Sequence, residues 1–202
     1  MDPFAFPMTA SEFFIMFGYA LIFGGPVIVC NSFANFSKLF PWLGSPVDFG
    51  KNFKDGRRIF GDHKTWRGII FGIIFGTLSG ILFWYYCVVA HDKFSAKAGV
   101  DMLNSGFPVY PWYIGFFMSL GDHFGDLLGS FIKRRMNIKS GGALPLYDQG
   151  FWMVTGLVFA LPFIWGEVNL WFYFVTLIIA TPLLHFIVNP LAYLLKLKDV
   201  WY

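Results

Sequence analysis

Five apolar runs, each near the length of a bilayer crossing, dominate this sequence and point to one fold: a bundle of membrane helices. A spanning helix needs ~20 mostly apolar residues. The runs are roughly Phe13 to Phe33, Gly68 to Val89, Pro111 to Ile132, Gln149 to Trp165 and Val168 to Leu195. The fourth is short and carries Pro162. The fifth is long and carries Pro182 and Pro190, which predicts tilting or kinking. Only 13% of the 202 residues are charged and 56% are hydrophobic; a soluble domain carries about 25% charge. The expectation is an all-α, polytopic integral membrane protein forming one membrane domain over residues 1–202.

Charge placement orients the bundle. No Lys or Arg precedes Lys38. Between the first two runs lie Lys38, Lys51, Lys54, Arg57, Arg58, Lys64 and Arg67. Between the third and fourth lie Lys133, Arg134, Arg135 and Lys139. The second connection has Lys93 and Lys97, partly balanced by Asp92 and Asp101, and the fourth has only Glu167. The C-terminus carries Lys196 and Lys198. The positive-inside rule then predicts five spans, the N-terminus outside and the C-terminus cytoplasmic. Both basic loops, about 35–67 and 133–148, share the cytoplasmic face. The first residues lack a basic n-region, so no cleavable signal peptide is expected. Cys30 and Cys87 fall in apolar runs and read as small buried hydrophobes.

The third run carries the sharpest signal. Charge inside a bilayer is costly and marks a site or a pairing. Asp122 and Asp126 are four residues apart and share a helix face, which Ser130 and Lys133 continue. Asp126 is six residues from Ile132, so it lies roughly 9 Å from the cytoplasmic end. Its candidate partners are Lys133, Arg134 or a Mg²⁺ carrying a triphosphate. The alternative is an internal ion pair joining two helices. Acids for a hard cation beside bases for phosphate suggest metal-assisted phosphoryl chemistry at a membrane surface.

The first basic loop offers a second cluster: Asp62, His63, Lys64, Thr65 and Arg67, directly before a helix. Lys, Thr and Arg there can bind phosphate oxygens together with the helix N-terminal amides. A plain lipid-anchoring basic flank is the competing reading. His63 and His123 each follow Gly-Asp, without metal-ligand spacing to another His, and nothing resembles a zinc site. His63 is kept as a site candidate and His185 as structural.

Gly125-Asp126-Leu127, Ser130, Lys133-Arg134 and Ile138-Lys139, followed by Pro145 and Asp148, resemble the signature of the phosphatidate cytidylyltransferase family. The stretch Asp55 to Gly68 and the pair Asp148-Gln149 are more similar still to its archaeal branch, the CDP-archaeol synthases. The resemblance runs from about Ala34 to Gly150. Three departures stand out. The bacterial Lys-Asp pair is Lys139-Ser140 here, and the Gly-His-Gly-Gly segment is absent. The Asp-Arg-x-Asp segment is Asp148-Gln149-Gly150-Phe151, so the second acid is missing unless Asp122 or Asp62 substitutes.

The resemblance implies a Mg²⁺-dependent transfer of CMP from CTP to an unsaturated di-geranylgeranyl glycerol phosphate, releasing pyrophosphate. It implies Asp126, Lys133, Asp148, Arg67 and Lys64 as catalytic residues. Thr65, His63, Ser130, Arg134, Lys139, Arg58 and Gln149 would bind CTP or the lipid phosphate. Asp126 and Asp148, with Asp122 or Asp62 as further candidates, would hold metal. Membrane lipids are the remaining partners, and no nucleic acid is expected. The competing readings are a small polytopic transporter, a CDP-alcohol phosphotransferase and a non-enzymatic lipid-binding membrane protein. A transporter would spread polar groups through the membrane depth and show inverted repeats; here charge gathers at one face. A phosphotransferase would continue Asp55-Gly56 with Ala-Arg, which this chain lacks.

Overall fold

The computed structural model describes residues 9–37, 40, 42–89, 110–142, 144, 147–165 and 170–194. Lys38, Lys93, Lys97, Pro145, Glu167, Lys196 and Lys198 lie outside the described residues, as do the side chains of Cys87 and His185. Among the described residues every regular element is helical: α1 (Ala10–Phe23), α2 (Gly25–Phe36), α3 (Trp66–Trp84), α4 (Ile114–Arg135), α5 (Tyr147–Ile164) and α6 (Leu170–Leu194). A short π-helical turn, Tyr85–Val89, extends α3. By length and composition, α3 can cross a membrane on its own, and α1 with α2 forms one bent candidate.

The first apolar run is therefore two helices. They meet at 49° around Gly24. Pro26, in the first turn of α2, has no amide hydrogen to continue α1's ladder. The bend admits neighbours: a Cβ on Gly24 would lie 2.7 Å from a Leu177 methyl of α6, and one on Gly25 would strike the Phe83 ring of α3.

The central helix is α4, which packs against α2, α3 and α5. Small residues make that approach close. Gly72, Gly76 and Gly80 recur every fourth residue along one buried face of α3. Gly80 meets Gly115 backbone to backbone, and Gly76 faces Ser119 and the Pro26 carbonyl. Membrane helices associate through such stripes because lipid supplies no hydrophobic drive between them. Toward its N-terminal half α4 joins an apolar core containing Phe23, Val27, Ile114, Met118, Leu157 and Tyr173. Toward its C-terminal end it carries Lys133, Arg134 and Arg135, where cations complement the helix dipole.

Both ends of the α4–α5 connection are fixed locally. Asn137 is left-handed (φ 64°). The Asn137 amide donates to the Arg134 carbonyl and the Ile138 amide to the Lys133 carbonyl, at 3.1 and 2.9 Å. This is a Schellman C-cap with Asn in place of Gly. At the start of α5, Asp148 Oδ2 accepts the Leu144 amide at 2.8 Å. A carboxylate is favoured in a first turn by the dipole.

Candidate active site

Two lysine–carboxylate pairs form at the charged end of the bundle. Lys64, two residues before α3, pairs through Nζ with Asp126 Oδ2 of α4. Lys133 of α4 pairs through Nζ with Asp148 Oδ1 of α5 at 2.7 Å. Asp126 thus takes Lys64 as its partner, 62 positions away, rather than Lys133 or Arg134. Both carboxylates are about one-third exposed. Each pair is partly open to solvent.

The first loop is held over this end by a second layer of contacts. Asp48 is buried at its centre. Its carboxylate accepts Arg58 through two nitrogens, at 2.7 and 3.3 Å, and the amides of Phe60, Gly61 and Gly50. Burial alone would raise the Asp48 pKa, but the Arg58 guanidinium and these amides outweigh it and hold the group well below the usual carboxylate range. Arg58 also pairs with Asp62 at 2.6 Å, and the two carboxylates push its own pKa up. Asp48 thereby organises the loop.

The loop docks on the end of α4 through arginines. Arg57 donates to the Arg135 carbonyl, and Arg135 donates to the Arg58 carbonyl at 2.6 Å. Arg135 also pairs with Asp55 at 2.8 Å and lies over the Phe53 and Phe131 rings. Arg134 is buried, donating to the Lys139 carbonyl at 2.8 Å and the Phe60 carbonyl at 3.4 Å. The two loops meet where Gly61 lies against Arg134 and Ser140, and Gly141 against His63.

The remaining expected residues are distributed around this frame. Thr65 caps α3, its hydroxyl accepting the Gly68 amide at 3.4 Å. Arg67 donates to the Phe40 carbonyl at 2.9 Å. Ser130 is buried on α4. Gln149, in the first turn of α5, is half-buried with an unmatched Oε1. His63 and Lys139 are exposed. Asp62 is engaged by Arg58, and Asp122 is 1% exposed and turned toward Cys30 and His123. Cys30, His123 and Asp122 bring their ligand atoms within 4.8 Å of one another, a cluster that linear spacing concealed.

A helical bundle with an apolar core and charge gathered at one end is the architecture of a membrane-embedded protein. The solved structure of an intramembrane enzyme for archaeal membrane lipid biosynthesis is similar to this chain, with a TM-score of 0.61 and 28% identity; the match covers 84% of this chain and 92% of that one. The sequence model of the CarS-like family, CDP-archaeol synthase, matches residues 15–202, and the chain belongs to that family. It is 40% identical over 171 residues to the CDP-archaeol synthase of Pyrococcus abyssi, covering 83% of this chain and 90% of that protein. It is 43% identical over 159 residues to that of Methanococcus maripaludis strain C7, covering 79% and 84%.

Proposed function

We propose that the chain transfers CMP from CTP to an unsaturated archaeal ether-lipid phosphate, giving a CDP-archaeol and pyrophosphate. Family membership supports the reaction. The observation that carries the site is the pair of partly exposed lysine–carboxylate contacts, Lys64–Asp126 and Lys133–Asp148, the first joining the start of α3 to α4 and the second joining α4 to the start of α5. Each places an anion-binding ammonium beside a cation-binding carboxylate. A nucleotide triphosphate with its metal needs both.

The acceptor phosphate needs little activation. Its second pKa is about 6, so near neutral pH it is mostly the dianion and attacks the α-phosphorus without a general base. The protein's task is to suppress repulsion, align the attack and support the departing pyrophosphate. On nucleotide binding, Lys64 and Lys133 leave their carboxylates for phosphate oxygens, and Asp126 and Asp148 are freed for metal. Their hard, part-exposed oxygens suit Mg²⁺, whereas the Cys30–Asp122–His123 set offers sulfur and nitrogen. Asp126 and Asp148 would hold the Mg²⁺, which would supply positive charge against the triphosphate. Arg67, Thr65, His63, Lys139 and Gln149 supply further phosphate and sugar contacts around the pairs. Arg58 and Arg134, already committed to Asp48, Asp62 and backbone carbonyls, hold the loops that frame the site. Ser130 packs within α4 behind it.

In the membrane, α1 and α2 together form one broken span, and α3, α4, α5 and α6 one each. The N-terminus is outside, and loops 35–67 and 133–148 make the active face in the cytoplasm. The acceptor's chains enter laterally from lipid. The test is incubation of the purified protein in detergent with labelled CTP, Mg²⁺ and a panel of lipid phosphates. CDP-lipid and pyrophosphate should form with CTP and far less with ATP. Equal use of the two nucleotides would refute cytidylyl specificity.

A further inference from the structure

The Cys30–Asp122–His123 cluster is buried between α2 and α4, one helical turn from Asp126, and the proposed transfer does not use it. Cys30 Sγ lies 3.3 Å from Asp122 Oδ2 and 3.4 Å from His123 Nε2. His123 Nδ1 lies 3.6 Å from Asp122 Oδ2. In a tetrahedral zinc site, bonds of about 2.0–2.3 Å place neighbouring ligand atoms roughly 3.3–3.7 Å apart. The two Cys30 separations have that scale, and one ligand atom from each of the three residues lies within 4.8 Å of the others. All three side chains are buried.

Two further observations point to a ligand. Asp122 is 1% exposed, yet its Oδ1 accepts no hydrogen bond of ordinary geometry. The Ile69 backbone lies at the His123 ring, the kind of outer partner that orients a metal-binding imidazole. We propose that Cys30, Asp122 and His123 form a site for a borderline-soft divalent cation of the zinc class, tying α2 to α4 behind the catalytic face. Binding forms a metal–sulfur bond and releases the Cys30 thiol proton to solvent. The thiolate sets it apart from a hard-cation site on Asp126 and Asp148.

Cobalt(II) is the probe. The protein is purified in detergent, stripped with a chelator, shown to be monodisperse and titrated with Co²⁺. One ion per chain should bind with tetrahedral visible bands and a thiolate-to-cobalt charge-transfer band, and Zn²⁺ should displace it. Cys30→Ser should abolish the charge-transfer band. His123→Ala should weaken binding by more than the roughly 10- to 100-fold that loss of an outer partner costs. Asp126→Asn and Asp148→Asn should keep the spectrum, which separates this site from the one proposed for transfer. Cys87→Ser leaves Cys30 as the only thiol, so it decides the matter even where Cys30→Ser does not fold. A charge-transfer band in Cys87→Ser supports the site; its absence there, or its survival in a folded Cys30→Ser, overturns it.

Discussion

Asp48→Asn is the substitution whose effect follows most directly from geometry. The carboxylate accepts five hydrogen bonds, two from Arg58 and one each from the Gly50, Phe60 and Gly61 amides. Asparagine keeps the shape but loses the charge, and its NH₂ faces donors it cannot accept from. A charge-assisted hydrogen bond contributes about 1.5–3 kcal/mol. Arg58 remains 28% exposed and retains Asp62, so solvent screens part of the loss. A local cost of about 2–3 kcal/mol remains, equal to roughly 30- to 150-fold in an opening equilibrium. Hydrogen exchange of the peptide spanning Phe60 and Gly61, in detergent, should accelerate by that factor. Asp55→Asn, at an exposed turn, should change it far less. The pH dependence has a fixed sign. A depressed carboxylate pKa contributes stability that is complete above the unfolded value near 3.9 and is lost as pH falls toward the folded one. The wild-type advantage should therefore be flat from about pH 6 to 8 and shrink only on strong acidification. Unchanged exchange at neutral pH would refute the role of Asp48 as the loop's organiser.

Two further outcomes follow from packing and orientation. Gly80→Ala places a Cβ 2.7 Å from the Gly115 backbone, which cannot yield as a side chain can. It should cost about 1–3 kcal/mol of stability and lower the melting temperature in detergent, while Gly18→Ala, with open space around it, should not; equal effects would refute close α3–α4 packing. Cysteines introduced at Ser95 and Ser140 should label from opposite faces, Ser140 only after permeabilisation. Labelling of both from outside would refute the five-span orientation.

Much of this was legible in the linear pattern, and what was not depended on long-range juxtaposition. Asp126, Lys133 and Asp148 stand out because charge at a helix end in an apolar chain has few uses, and two of them form the Lys133–Asp148 pair. Lys64 was visible as a base before a helix, but its partner was not, because the contact spans 62 positions. Asp48 resembled any Asp in a Gly-rich turn until folding buried it. Two further features are readable from local chemistry. Gly24-Gly25-Pro26 within an apolar run signals the break in the first span, and glycines at 72, 76 and 80 signal a close helix contact. The Cys30–His123 contact had no such signal, since it exists only where α2 crosses α4.

Asp126 and Asp148, each held by a lysine, are the proposed catalytic centre. Its most direct test is the rate of CDP-lipid formation by Asp126→Asn and Asp148→Asn, each verified as monodisperse and as thermally stable as the parent. Both should lose measurable transfer while remaining folded, because charge is removed and shape is kept. Transfer at the parent rate by either folded variant would contradict the account.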